Sequence, residues 1–200
     1  MKKRFIVRSL LLTIGFSMLG ACSTTPTRTT HLSTERALIQ WPLLSPSLWA
    51  QDMSVQQLLT IQAGGQQHQV QAILDISPQA VHLVILKFGR RLVTIEHTDA
   101  GTRVDKDAYV PDFIDARQVL QDMQLVYVPQ ATIQSTLPEQ CGISVQSLPD
   151  DSTGERRTIQ CAGQTVYQID TRMVGGLNST QLNNTRVPYT IQIDTTQVQP

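Results

Sequence analysis

Apolar and polar residues alternate along most of the chain from Val55 onward. Leu59, Ile61 and Ala63 take one side of an extended segment, and Leu58, Thr60 and Gln62 take the other. A period of two predicts a strand. Gly64-Gly65 then offers two residues that tolerate positive φ, the requirement of a two-residue hairpin turn. The return segment puts Val70, Ala72, Leu74 and Ile76 on one face and Gln69, Gln71 and Asp75 on the other, until Ser77-Pro78-Gln79 breaks it. Val81 to Phe88 is almost continuously apolar, which predicts a strand covered on both faces. Gly89-Arg90 turns the chain, Val93 and Ile95 share a face of the next strand, and Ala100-Gly101 leads to a short segment around Arg103–Asp105. Connections this short rule out parallel crossovers, so the expected arrangement is an antiparallel meander.

The period changes once. Phe113, Ala116, Leu120, Met123 and Tyr127 recur at spacings of three and four, the stripe of an amphipathic helix. The helix is expected to start near Pro111-Asp112, with Asp112 and Asp115 at its positive end. Pro129 ends it, and Gln130 to Leu137 adds a second short helical piece. Strands resume after Cys141. Arg157–Cys161 and Thr165–Ile169 flank the turn Ala162-Gly163, residues 173–187 read as loop, and Tyr189, Ile191 and Ile193 alternate in a last strand. The expectation is a mainly β fold of seven or eight strands: an incomplete antiparallel β-barrel, or half-barrel, covered by one or two helices. Such a fold either packs shut or leaves an apolar cavity beneath the helix. The candidates for the cavity wall are Leu59, Ile61, Val70, Leu74, Ile85, Ile95, Leu120 and Met123.

The first 22 residues follow neither period. Lys2, Lys3, Arg4 and Arg8 precede an apolar run of about ten residues, and the run closes on Leu19-Gly20-Ala21-Cys22. A spanning helix needs about 20 apolar residues, so this run reads as a secretory h-region. Leu-Gly-Ala-Cys resembles the lipobox of bacterial lipoproteins. The resemblance implies a signal peptide over 1–21, a lipid on Cys22 and, with Ser23 following, an address at the outer membrane. Each buried CH₂ contributes about 0.8 kcal/mol, so two or three acyl chains make a stable anchor. Removing the four basic residues of the leader leaves 12 bases against 16 acids, a net of −4. That charge offers no general attraction for nucleic acid. Residues 22–34, rich in Thr, form a solvated tether, and 35–54 form an apolar strap whose prolines exclude a helix interior. Residues 55–200 make one domain.

With Cys22 lipidated, Cys141 and Cys161 remain. In an oxidising compartment they form either a bridge, worth about 3 kcal/mol in the chain-entropy model, or two buried thiols. No C-x-x-C occurs. The histidines His31, His68, His82 and His97 are never at metal-ligand spacing and read as solvated. Asp105 and Asp107 lack the other ligands of a calcium loop. Asp112, Asp115 and Asp122 read as a solvated helix face, and Arg90-Arg91 as the charged edge of a turn. No phosphate-binding loop or nucleophile elbow is present. The expectation is no enzyme, no metal and no cofactor besides the covalent lipid.

The order of lipobox, meander, Val81–Ile95 hairpin and helix resembles outer-membrane lipoprotein receptors of the LolB type. The segment Gln118–Pro129, with its Leu-x-Asp-x-Gln-Leu core, resembles an uncharacterised proteobacterial outer-membrane lipoprotein family often found near aryl-polyene or fatty-acid-like biosynthesis genes. These resemblances cover about residues 50–195. They imply a non-enzymatic monomer, lipid-anchored at the periplasmic face, that binds or transfers acyl-chain-bearing cargo: lipoprotein, glycolipid or polyene lipid. A LolA-like periplasmic carrier is the implied partner. LolB-type receptors touch the membrane with an apolar loop, for which the turn at Ser77-Pro78 is the candidate here. The other reading is an assembly lipoprotein with a closed core that docks another envelope protein.

Overall fold

The computed structural model describes residues 41–200 except 50, 51, 109, 111–114, 150 and 200. The expected signal peptide, the lipidation candidate Cys22, the expected tether and the first part of the strap lie outside the described residues. Ten strands, two α-helices and one 3₁₀ turn are present among the described residues. The strands are β1 (Met53–Ala63), β2 (Gln66–Ile76), β3 (Val81–Lys87), β4 (Arg90–Thr98) and β5 (Gly101–Lys106), then β6 (Cys141–Leu148), β7 (Asp151–Cys161), β8 (Gln164–Val174), β9 (Leu177–Asn184) and β10 (Tyr189–Gln199). Helices α1 (Ala116–Tyr127) and α2 (Gln130–Gln134) separate the two groups.

All ten strands form one antiparallel sheet in the order β5-β4-β3-β2-β1-β10-β9-β8-β7-β6. Every neighbour is consecutive in sequence except β1 and β10. The first and last strands therefore join two meanders in the middle of the sheet, leaving β5 and β6 as its edges. The sheet is open and does not close into a barrel. The segment from β5 to β6 has to pass from one edge to the other, and it carries both helices.

The expected alternation is present and fixes the register, because a one-residue slip would turn every apolar side chain outward. Leu59 sits opposite both Val70 and Ile193, and Leu74 lies between Val55 and Leu83, with Ile95 beyond. Val81, Leu83 and Ile85 are buried, while His82 is exposed and Val84 and Leu86 are half-buried. The apolar run in β3 is thus a one-sided strand with its outer face only partly covered, and not one covered on both faces.

Residues 177–184, which read as loop, form β9. Its inward positions Thr180, Leu182 and Asn184 are buried, but only one is apolar, so no alternation is visible in the sequence. The strand forms because β8 and β10 pair with it on both sides. Helix α1 starts at Ala116, later than expected, where the Asp115 carboxylate accepts the N–H groups of Arg117 and Gln118. At the other end Arg157 of β7 donates to the carbonyls of Leu125 and Val128, at 2.8 and 2.9 Å, satisfying acceptors the helix leaves open.

Cys141 and Cys161 face each other across β6 and β7 and form a disulfide. The bridge pins edge strand β6 to the sheet. The described part of the strap packs against the domain: Trp41 and Trp49 are buried, and Trp41 lies 5.8 Å from the Tyr167 ring.

Candidate functional site

Helix α1 buries polar side chains on two flanks, and each flank has a separate use. On the strap side, Gln121 donates to the carbonyl of Trp41 at 2.8 Å. Gln124, fully buried, accepts the Leu44 N–H and donates to the Pro42 carbonyl. His97 of β4 completes this seam, 2.9 Å from the Leu44 carbonyl and 2.9 Å from Thr102. His97 is therefore a buried structural group, which corrects the solvated reading. His82 is exposed, 3.8 Å from Glu96, and His68 is half-buried. No cluster of His, Cys, Asp or Glu fit for a metal occurs among the described residues.

On the opposite flank the helix stands off the sheet. Between them lies a cavity of about 400 Å³, lined by β1, β2, β3, β9, β10 and α1. Six of the eight residues expected at the wall are there: Leu59, Ile61, Val70, Leu74, Ile85 and Met123. Ile95 and Leu120 are not. Both are fully buried in the packed core and do not reach the gap. Ile191, Ile193, Val119 and Leu182 complete much of the apolar wall. Leu59, Ile61, Ile191 and Ile193 point inward yet are only half-buried, since the space before them is unfilled. Protein interiors normally close such gaps, and sites for small molecules span about 300–1,000 Å³.

Two polar clamps hold the helix over this gap. At one end Gln57 of β1 donates to the Tyr127 hydroxyl at 2.6 Å, and burial raises the hydroxyl's pKa. At the other end Asp122 receives the Tyr189 hydroxyl, 2.6 and 2.8 Å from its two oxygens, and the Gln118 amide at 2.8 Å. Gln118 also reaches Tyr167, whose hydroxyl accepts from Asn184 at 2.8 Å. Ala63 pairs with Tyr189, and Gln57 pairs with Thr195. Six residue steps along β1 therefore separate the strand positions of the two clamps, Gln57 and Ala63, about 20 Å at about 3.3 Å per step.

Asp122 was expected on a solvated face, and it is buried. The i, i+4 spacing from Gln118 puts it on the flank facing β10, where Tyr189 and Tyr167 cover it. Burial raises its pKa to about 7; the hydrogen bonds from Tyr189, Gln118 and Tyr167 offset part of that rise. Burial, and then the nearby Asp122 charge, raise both tyrosine hydroxyls. The hydrogen-bonding partners Gln118, Tyr167 and Asn184 give no periodic signal, and Tyr189 reads only as an apolar position of the last strand. Asp122 and Gln124 do lie within Gln118–Pro129, the segment that carries the family resemblance.

Gly64, Val187 and Pro188, from the β1–β2 and β9–β10 turns, line the Asp122 end of the cavity. A more open, more polar depression of about 640 Å³ adjoins there and shares Ala63, Gly64, Pro188 and Tyr189 with it. This end is the wider mouth; a narrower depression of about 340 Å³ adjoins the other end and shares Gln57 and Tyr127 with the cavity. On the same sheet, Phe88 is 96% exposed at the β3–β4 turn, with Lys87 5.8 Å from its ring. Ser77-Pro78 presents no comparable apolar side chain.

Among known proteins, the family model described as "Protein of unknown function (DUF3261)" matches residues 54–197. No curated protein matches the chain. Among solved structures, a crystal structure of a DUF1329 family protein from Desulfovibrio piger is 9% identical over 75% of this chain and 85% of that one, with a TM-score of 0.31.

Proposed function

We propose that this chain, which belongs to the family described as "Protein of unknown function (DUF3261)", is a non-enzymatic lipoprotein that holds the acyl chain of a lipid or lipidated cargo in the cavity beneath α1. The observation that carries the reading is the gap itself. An apolar wall of Leu, Ile, Val and Met is left half-covered beneath α1, beside a packed core that holds Val81, Val93, Ile95 and Leu120. Each CH₂ moved from water into such a wall contributes about 0.8 kcal/mol. Anchored through Cys22 at the periplasmic face of the outer membrane, the domain would take cargo from a soluble carrier or pass it to the membrane. Phe88, flanked by Lys87 and Arg90, is the apolar tip that would reach the lipid surface. The assembly-partner reading needs a packed interior, and the gap disfavours it.

The test uses the full chain purified in mild detergent and then stripped of detergent. A tail-labelled, uncharged acyl probe such as a pyrene monoacylglycerol is expected to bind saturably at one site. Native mass spectrometry is expected to find a non-covalent acyl lipid on material taken gently from membranes. Absence of both sinks the proposal.

A further inference from the structure

The cavity has no cation in its wall. Its ionisable side chains other than the tyrosines are Asp115 and Asp122, and no Lys, Arg or His lines it. A phosphate, sulfonate or carboxylate entering with an acyl chain would meet no counter-charge, and at the mouth it would meet a second negative group. The polar side chains there are not uniform in kind. Tyr189 and Gln118 converge on the Asp122 carboxyl as donors, and Tyr167 and Asn184 stand behind them. A carboxylate offers about four acceptor positions, and these neighbours occupy most of them, so the network leaves room for one further donor. The apolar rows run inward from this end: Ile61 opposite Ile191, then Leu59 opposite Ile193. A tail laid along those rows brings its head to Asp122.

We infer that Asp122, Gln118 and Tyr189 form a head-group site at the mouth of the cavity, selective for an uncharged head with a hydrogen-bond donor, such as a glycerol, sugar hydroxyl or amide, and closed to anionic heads. The inference rests on the acyl-chain reading above and adds the class of lipid to it. The groups facing Asp122 are Tyr189 from β10, Tyr167 from β8 and Gln118 from its own helix, with Asp115 the other acid on the wall. None of them brings a positive charge. Because burial places the Asp122 pKa at about 7, the exclusion of anions is expected to be strongest on the alkaline side.

The experiment compares two probes of equal tail length on the full chain: a pyrene monoacylglycerol and a pyrene alkyl sulfonate, which stays ionised throughout. At pH 8.5 the monoacylglycerol is expected to bind at least about tenfold more tightly, since like charges at close range in a buried site are strongly unfavourable. At pH 6 the gap is expected to narrow as Asp122 takes up a proton. In Asp122→Asn it is expected to narrow and to become the same at both pH values. The pH comparison on unaltered protein keeps the test decisive if that variant folds poorly. Equal affinity for the two probes at pH 8.5, or an undiminished gap in a folded Asp122→Asn, overturns the head-group site and leaves the acyl cavity standing. Failure of both probes to bind overturns the acyl cavity and the head-group site together.

Discussion

Asp122 concentrates the chemistry of the molecule in one residue. Its carboxyl is buried and faces no cation within hydrogen-bonding reach, so its pKa is raised above the ordinary carboxylate value to about 7. The folded protein then binds a proton that the unfolded chain has already lost between about pH 4 and pH 7, and stability falls as pH rises through that window. A shift of about three units corresponds to roughly 4 kcal/mol. Asp122→Asn is therefore expected to flatten the decline in Tm between pH 5 and pH 8.5 and to raise Tm at pH 8.5; an unchanged slope in thermal melts would show that another group controls it. Gln124 plays the reverse part, satisfying both strap carbonyl and amide with a neutral group. Neither role was legible in the sequence. Helical spacing places a residue on a flank, but whether that flank meets water, a strap or a strand depends on chain far away: Leu44 lies 80 residues from Gln124, and Tyr189 lies 67 from Asp122.

At the scale of elements, most strands and the main helix followed from period and turn chemistry. Gly64-Gly65, both at positive φ, turns the first hairpin as expected. The β3–β4 turn departs from that logic. Phe88 occupies the left-handed region at φ 52°, where glycine or asparagine is at ease and a bulky side chain costs about 1–2 kcal/mol. Strain and exposure together make sense if the ring is wanted outside. Phe88→Asn is expected to stabilise the fold by about 1 kcal/mol in denaturant titration and to weaken partition onto lipid vesicles. If partition is unaffected, the tip is not the lipid contact. At the other edge, the Cys141–Cys161 bridge secures β6, which has a strand neighbour on one side only. Replacing both cysteines by Ala is expected to cost about 3 kcal/mol and to speed amide exchange over residues 141–148 before the rest of the sheet. Strand β9 escaped the sequence reading because its polar inward side chains, Thr180 and Asn184, are satisfied by Thr171 and Tyr167. A hydrophobicity pattern does not record partners of that kind.

For the molecule as a whole, binding and stability are expected to separate. A ligand-sized gap in the interior normally costs stability, because its lining lacks contacts and a filled core would supply them. Ile61→Trp, which fills the cavity from β1, is expected to abolish uptake of the acyl probe while leaving Tm unchanged or higher. Loss of both together would mean that the space is not preformed. Conversely, probe at 100 times its Kd is expected to stabilise the unaltered chain by about 2.7 kcal/mol. Alternation, turn residues and the single helical stripe by themselves determined that this chain is mainly β, antiparallel and helix-covered, with Leu59, Ile61, Val70 and Leu74 facing inward. These are local properties, set by neighbours two to four residues apart. Only the tertiary structure decided that β1 and β10 join mid-sheet, which sends the β5–β6 segment and its helices across one face. It alone decided that two polar clamps hold α1 off that face, leaving Leu120 in the core and Met123 at the gap. The distinction between a packed interior and a hollow one is a matter of ångströms between elements distant in sequence, and no pattern along the chain encodes that distance.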